Sequence, residues 1–298
     1  MIRKTLITAL ALTLCLSVSA AKKKKTEKQS FPVAVTSLKT ERMANPMSID
    51  TPNPRLGWVL TSDKQDVMQT SYHIIVASTA EKAANLEGDL WDATVNSDQS
   101  QWVRYAGKEL SSDTQCYWRV KVTTTQGESD WSETATWNVG LLYEADWKGQ
   151  WIGLDKAMPW DIEDVHSQLS SRYLRTEFKV EKPVKRATLY ISGLGMYEAY
   201  INGKKVGDQV LAPLPTDYRK TVLYNAFDVT SMLSAENAIG VVLGNGRYYT
   251  MQQKKKPYKI ANFGYPKLRA NIIIEYTDGT TQTVSTCLLY TSPSPRDL

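Results

Sequence analysis

The strongest constraint on this chain is a side-chain period of two. In Cys116-Tyr-Trp-Arg-Val-Lys-Val122, Cys116, Trp118, Val120 and Val122 share one face of an extended backbone, and Tyr117, Arg119 and Lys121 share the other. Similar short segments, bounded by turn residues, recur in Leu56-Gly-Trp-Val-Leu60, Tyr72-His-Ile-Ile-Val-Ala77 and Trp102-Val-Arg-Tyr105. About seven such strands in residues 31–141 predict a β-sandwich of immunoglobulin or fibronectin type III kind. Residues 81–85 suggest a short helical turn.

A second β-rich unit is expected over residues 172–286. Tyr173-Leu-Arg-Thr-Glu-Phe-Lys-Val180 alternates, and Ala187-Thr-Leu-Tyr-Ile-Ser192 reads as a further strand. Tyr197-Glu-Ala-Tyr-Ile201 leads into Asn202-Gly203, a pair suited to the positive φ angles of a type I′ hairpin turn. Asp228-Val-Thr-Ser-Met-Leu233 suggests one helical turn. Ala238-Ile-Gly-Val-Val-Leu-Gly244 is a buried strand, and residues 272–285 read as strand, turn, strand. Antiparallel strands with long connections fit a jelly-roll sandwich, so the whole chain is all-β. Residues 142–171 form the linker. Its Trp147, Trp151 and Trp160 either wedge the two sandwiches together or offer faces for stacking sugar rings.

The ends are read separately. Residues 1–20 have the charged start (Arg3, Lys4), apolar middle and small Val18-Ser19-Ala20 of a secretory signal cleaved near Ala20/Ala21, which places the protein outside the cytoplasm or in the periplasm. That apolar run is too short to span a membrane. Residues 21–30 form a basic tether. Residues 287–298 continue no earlier pattern, and Cys287-Leu-Leu-Tyr-Thr-Ser-Pro-Ser-Pro-Arg-Asp297 resembles the translation of a transposase-type sequencing adapter, so natural sequence is expected to stop near Thr286. Of three cysteines, Cys15 belongs to the signal and Cys287 to this tail, leaving Cys116 with no internal disulfide partner. The formal charge of +5 dissolves in the same way. Without the seven cations and one acid of residues 1–30, and without Arg296 and Asp297, 28 basic residues face 29 acidic ones. A nucleic-acid partner is therefore not expected.

Chemistry-bearing motifs are scarce. Two histidines, His73 and His166, cannot build a multi-histidine metal centre, and there is no His-Glu-x-x-His run, phosphate loop or Gly-x-Gly-x-x-Gly. Glu198 and Asp217 are acids of the type a glycosidase pair uses, but such a pair is defined by a separation that sequence does not carry. No catalytic and no metal residue is assigned. Asp217-Tyr-Arg219 either fixes a loop or recognises sugar hydroxyls, and Gly244-Asn-Gly246 either turns the chain or lines a ligand. With Arg247 and Tyr248 they give the candidate carbohydrate-binding set Asp217, Tyr218, Arg219, Asn245, Arg247 and Tyr248. Lys254, Lys255 and Lys256 form a solvated loop or touch an acidic glycan.

Two resemblances extend this reading. Leu110, Thr114, the strand from Cys116 and Trp131-Ser132 resemble the later strands of a fibronectin type III domain, with Cys116 where that fold usually places its corner tyrosine. Asn53-Pro-Arg-Leu-Gly-Trp58, Leu90-Trp-Asp92, Gly195-Met-Tyr-Glu-Ala-Tyr-Ile-Asn-Gly203, Leu211-Ala-Pro213, Thr216-Asp-Tyr-Arg-Lys220 and Leu243-Gly-Asn-Gly-Arg-Tyr248 resemble, in order and spacing, the N-terminal portion of bacterial α-L-rhamnosidases of the six-hairpin type. Leu214-Pro215 departs from their usual Gly-Trp, and Arg247 from a frequent Trp. The resemblance implies an ancillary, carbohydrate-binding or substrate-positioning region of a secreted enzyme that removes terminal α-L-rhamnose with inversion, its two carboxyl groups lying further along the chain on a helical barrel, so that this fragment alone is inactive. It also implies a rhamnose-containing glycan as partner and allows a calcium ion held by oxygens such as those of Asp208, Asn202 or Asn245. The alternatives are the same region of another secreted glycosidase, or a non-catalytic carbohydrate-binding protein.

Overall fold

The computed structural model describes residues 33–161, 169–249 and 263–287. The signal and tether expected over residues 1–30, His166, Lys254, Lys255, Lys256 and all of the tail beyond Cys287 lie outside them. Among the described residues no helix is long and apolar enough to cross a membrane.

The first sandwich is built from β1 (Ala34–Thr40), β2 (Arg55–Thr61), β3 (Gln69–Ala77), β4 (Trp91–Val95), β5 (Val103–Arg104), β6 (Gln115–Thr124), β7 (Gly127–Glu128) and β8 (Ala135–Asn138). One sheet runs β1-β2-β5; the other runs β4-β3-β6-β7, with β8 also paired to β6. The expected short helix is α1 (Ala80–Ala84), capped by the Thr79 side chain accepting from the Lys82 amide. Burial along β6 alternates as its sequence demands, with Cys116, Trp118, Val120 and Val122 inside. Trp58, Trp118 and Trp137 are enclosed between the sheets and carry much of the apolar burial. Cys116, at the expected corner position, is buried and makes no hydroxyl bond; burial and the nearby Asp89 charge push its thiol up to about 12. A tyrosine bond forms elsewhere, where Tyr105 Oη donates to Lys108 O at 2.8 Å.

The second sandwich contains β9 (Arg172–Lys179), β10 (Val184–Leu194), β11 (Met196–Ile201), β12 (Lys204–Lys205), β13 (Asn225–Asp228), β14 (Glu236–Gly244), β15 (Lys267–Tyr276) and β16 (Thr281–Ser285). Its sheets are β13-β10-β15-β16 and β12-β11-β14-β9, with every pairing antiparallel. Asn202 and Gly203 both take positive φ, 51° and 79°, as the hairpin turn requires. The expected single helical turn is a 3₁₀ turn over Thr230–Met232. β10 is longer than its apolar signature because both faces are covered. Ala187, Leu189 and Ile191 enter the core, while Arg186, Thr188, Tyr190 and Ser192 point the other way and are also enclosed.

That second face of β10 meets the first sandwich. Arg186 grips Asp113 with Nη1 on Oδ1 and Nη2 on Oδ2, each at 2.8 Å, and Nη2 also donates to Asp113 O at 2.8 Å. Tyr190 Oη donates to Asp113 Oδ1 at 2.6 Å and lies 3.1 Å from Asn138 Oδ1. Beside them Tyr224 Oη accepts from Ser48 Oγ at 2.9 Å and from the Leu141 amide at 3.1 Å. This approach requires Gly140, where a Cβ would stand 2.3 Å from Tyr224 Oη. Trp147 closes the junction, edge-on to Tyr224 at 5.3 Å and under the Arg269 guanidinium at 5.2 Å. Of the two roles open to the linker tryptophans, Trp147 takes the wedge.

Removing Asp113 leaves the largely enclosed Arg186 guanidinium with only the Glu275 carboxylate, 3.5 Å from its Nε. Asp113→Ala is expected to lower unfolding free energy by about 3 kcal/mol, whereas Glu236→Ala, which breaks the exposed pair with Lys179, stays within about 1 kcal/mol. Urea titration followed by tryptophan fluorescence measures both.

Candidate functional site

The loops that follow β14, precede β15 and follow the β11–β12 hairpin gather near the β10–β11 corner of the second sandwich. Two glycines make this possible. Gly195, at φ 138°, lets Gly244 O approach to where its Cβ would be, 2.3 Å away; Gly246, at φ 51°, has Gly195 C 2.9 Å from its own would-be Cβ. The backbone of the β14 loop therefore lies directly on the β10–β11 corner, and half-buried Tyr248 follows it.

Tyr248 stacks on Phe263 at 5.8 Å and 24°, and Tyr218 meets both edge-on, at 5.2 Å from Tyr248 and 5.3 Å from Phe263. The Arg219 guanidinium carbon lies 6.0 Å from the Phe263 ring centre. Asp217 accepts from Arg219 Nε at 3.1 Å, while its carbonyl accepts from the Lys220 and Thr221 amides at 2.8 and 3.0 Å. Asp217 thus fixes the turn that presents Tyr218 and Arg219. Burial pushes the Tyr218 hydroxyl up from its ordinary value, with the Arg247 charge opposing. A second stacked pair, Tyr249 and Tyr265 at 5.5 Å, lies next along the two segments. Each aromatic pair contributes about 0.5–1.5 kcal/mol beyond its area. The three-ring cluster can carry the apolar face of a pyranose, and an Arg–Asp edge can bridge neighbouring hydroxyls.

Of the six residues expected to bind carbohydrate, Tyr218, Arg219 and Tyr248 join one cluster and Asp217 supports it. Arg247 stands on the exposed rim. Asn245 faces away: its Nδ2 donates to Leu169 O at 3.1 Å, and among the described residues its buried Oδ1 has no donor. Phe263 and Tyr265 were not among the expected residues; the aromatic-Gly-aromatic run Phe263-Gly-Tyr265 before a strand is the signal that points to them. Glu198 is engaged by Lys205 Nζ at 2.8 Å and Tyr200 Oη at 2.7 Å, and has no pairing with Asp217.

Of the oxygens suggested for calcium, those of Asn202 and Asn245 do not share a site. Asn202 follows the end of β11 that pairs with Ile239, while Asn245 follows the opposite end of β14, beside Met196. About five strand residues, roughly 16 Å, separate them. Asn202 Oδ1 is also used by the Ala238 amide at 2.9 Å. Among the described residues no group of three or more His, Cys, Asp or Glu side chains is placed to hold a metal.

The segment behind Asn245 is held by a buried carboxylate. Asp161 accepts from the Met158 amide at 2.7 Å, the Ser170 amide at 2.6 Å, Ser170 Oγ at 2.7 Å and Arg172 Nη2 at 2.9 Å. Its side chain is 1% exposed and that of Arg172 6%. Burial alone would raise the Asp161 carboxyl, but these donors outweigh it and hold it well below the usual carboxylate range. Trp160 Nε1 donates to the same Ser170 hydroxyl at 3.0 Å.

Against known proteins, residues 35–143 match the family described as Rha78A-like, N-terminal immunoglobulin domain, and residues 182–292 match the alpha-L-rhamnosidase N-terminal domain. An alpha-L-rhamnosidase of Formosa agariphila is 35% identical over 261 residues, which is 80% of this chain and 27% of the relative. One of an Alteromonas species is 34% identical over 258 residues, 84% of this chain and 28% of that protein. The structure of alpha-L-rhamnosidase from Dictyoglumus thermophilum superposes with a TM-score of 0.74 at 34% identity, covering 85% of this chain and 29% of that one. The chain thus spans little more than a quarter of the length of these relatives.

Asp161→Ala is expected to lower stability by about 3 kcal/mol, because Arg172 is then buried without its carboxylate. The folded-state carboxyl lies below its ordinary value of 3.8, so its contribution is complete above that value and lost as pH falls beneath it. Urea midpoints at neutral pH and through the acid range measure both, and the acid-side loss should be smaller in the variant.

Proposed function

We propose, from a chain whose two sandwiches belong to the N-terminal domain families of alpha-L-rhamnosidases, that it serves as the substrate-positioning, carbohydrate-binding region of a secreted enzyme that hydrolyses terminal α-L-rhamnosyl residues. The observation that carries the binding role is the Tyr218–Tyr248–Phe263 cluster with Arg219 at its edge. Flat apolar ring faces beside a charged hydrogen-bonding group suit a deoxy sugar, whose methyl group and C–H face are apolar while its hydroxyls need donors and acceptors. Asp217 keeps Arg219 oriented. Asn245 is a supporting residue, since its amide is turned to the Leu169 carbonyl.

Hydrolysis with inversion needs one carboxylic acid to protonate the leaving oxygen and one carboxylate to activate water, set about 6.5–9.5 Å apart. No acid of this chain is given either role. Both are proposed to come from the part of the relatives' length that this chain does not span. Residues 1–20 are proposed to direct export and to be cleaved near Ala20/Ala21.

Titration calorimetry of L-rhamnose into the purified chain, with and without calcium, tests the binding role. Saturable heat is expected, weakened about tenfold or more in Tyr248→Ala, with circular dichroism unchanged. Absence of heat in both conditions, or an unaltered isotherm in Tyr248→Ala, removes this cluster from the sugar site.

A further inference from the structure

The motif Asn53-Pro-Arg-Leu-Gly-Trp58 has no part in the aromatic cluster of the second sandwich. Its Arg55, Leu56 and Gly57 instead line an open hollow of about 430 Å³ on the first sandwich, together with Lys39, Arg42, Gln101 and Trp102. Trp102 is 41% exposed although it is a large apolar residue, and its backbone sits at φ 62°. Two guanidiniums lie on its indole, Arg42 at 4.2 Å and Arg55 at 4.4 Å from the ring centre. Cation–π attraction holds both there, so the one indole fixes the positions of two cations.

The two arginines differ in what their forks hold. Arg55 is occupied: Nε lies 3.1 and 3.0 Å from the two Glu41 carboxylate oxygens, and its backbone amide donates to Oε1 at 2.7 Å. The hydrogen bonds from Arg55 hold the Glu41 carboxyl below its ordinary value, against the upward push of burial. Arg42 is open. Among the described residues no carboxylate comes within ion-pair distance of Arg42, Lys39 or the neighbouring Arg104. Glu41 and Arg42 take consecutive left-handed conformations, φ 49° and 69°, in the turn closed by Thr40 and Met43. Such conformations persist where surrounding contacts enforce them, and here they bring Arg42 over Trp102. The floor is shaped by Gly57, where a Cβ would meet Gln101 Oε1 at 2.7 Å; its absence lets the Gln101 amide lie against β2. Two cations without a carboxylate partner among the described residues, Lys39 and Arg42, thus line the hollow together with one exposed aromatic ring.

We infer that this hollow is a binding site for an acidic saccharide, with the carboxylate of a uronic acid taken by the open fork of Arg42 and by Lys39. A carboxylate presents two coplanar oxygens that match the guanidinium fork, as Glu41 demonstrates on Arg55. The volume exceeds that of a simple ion and suits a short sugar segment. The saccharide nature of the ligand rests on the reading of the parent as a glycan-acting enzyme; the site itself is separate from the proposed rhamnose cluster and would hold an acidic stretch of the same polymer.

The test titrates the purified chain with an α-1,4-linked oligogalacturonate, a neutral maltooligosaccharide of equal length, and sodium sulfate. Saturable binding of the oligouronate is expected, at least about tenfold tighter than either other probe, weakened about tenfold in Arg42→Ala and in Lys39→Ala, and weakened again between about 20 and about 200 mM salt. Both side chains are exposed, so circular dichroism should show both variants folded; Arg42→Lys, which keeps the charge and loses the fork, should regain only part of the affinity. The inference is overturned by no oligouronate binding, by sulfate binding equally well, by equal binding of the neutral oligosaccharide, or by affinity unchanged in Arg42→Ala. None of these results alters the L-rhamnose titration, so the two readings fail separately.

Discussion

The Asp113 carboxylate is the point on which the arrangement of the two sandwiches depends. It receives two guanidinium nitrogens of Arg186 and the Tyr190 hydroxyl, and all three donors belong to the outward face of a strand whose inward face builds the second core. An ion pair enclosed to this degree contributes little net stability relative to an apolar contact of the same shape, but any displacement that separates its members is strongly unfavourable. It therefore selects one docking geometry. Trp147, Tyr224 and the Asn271 side chain, which accepts from the Gly149 amide at 2.8 Å, then fit the linker around that geometry.

How far the sequence predicts this structure depends on the range over which each interaction acts. Alternation along Gln115–Thr124 is local and predicts the orientation of every residue of β6. The Asn202-Gly203 turn is likewise contained in two residues. β10 outruns its apolar signature, because a strand covered on both faces loses the polar half of its pattern. Asp113 and Arg186 are 73 positions apart, and nothing near either one announces the other. The same holds for Phe263, which completes the ring cluster from a segment remote from Tyr218, and for Arg42 and Trp102. Asn245 shows the same limit: a Gly-Asn-Gly run allows either a turn or a ligand contact, and only the fold shows its amide donating to the Leu169 carbonyl.

The two surfaces with ligand-like chemistry are built by different means. In the second sandwich, aromatic rings brace one another, and charge is peripheral. In the first, charge is central, and one ring organises it. Both rely on a glycine that lets a neighbouring group occupy the space of a missing Cβ, Gly246 against Gly195 in one and Gly57 against Gln101 in the other. Each places exposed side chains on strand ends or tight turns, where the backbone is fixed by the sheets while the tips remain free to meet a partner.

Gly140 carries a consequence for how this junction can vary. Since the hydroxyl of Tyr224 occupies the position a side chain at residue 140 would need, with Ser48 Oγ only 2.7 Å from the same point, the three positions are constrained jointly. A larger residue at 140 becomes tolerable only after Tyr224 has been shortened, and Tyr224 cannot be shortened without stranding Ser48 and the Leu141 amide. Lineages carrying this junction should therefore change it as a unit or not at all, so that divergence accumulates in the loops and leaves the junction sequence recognisable.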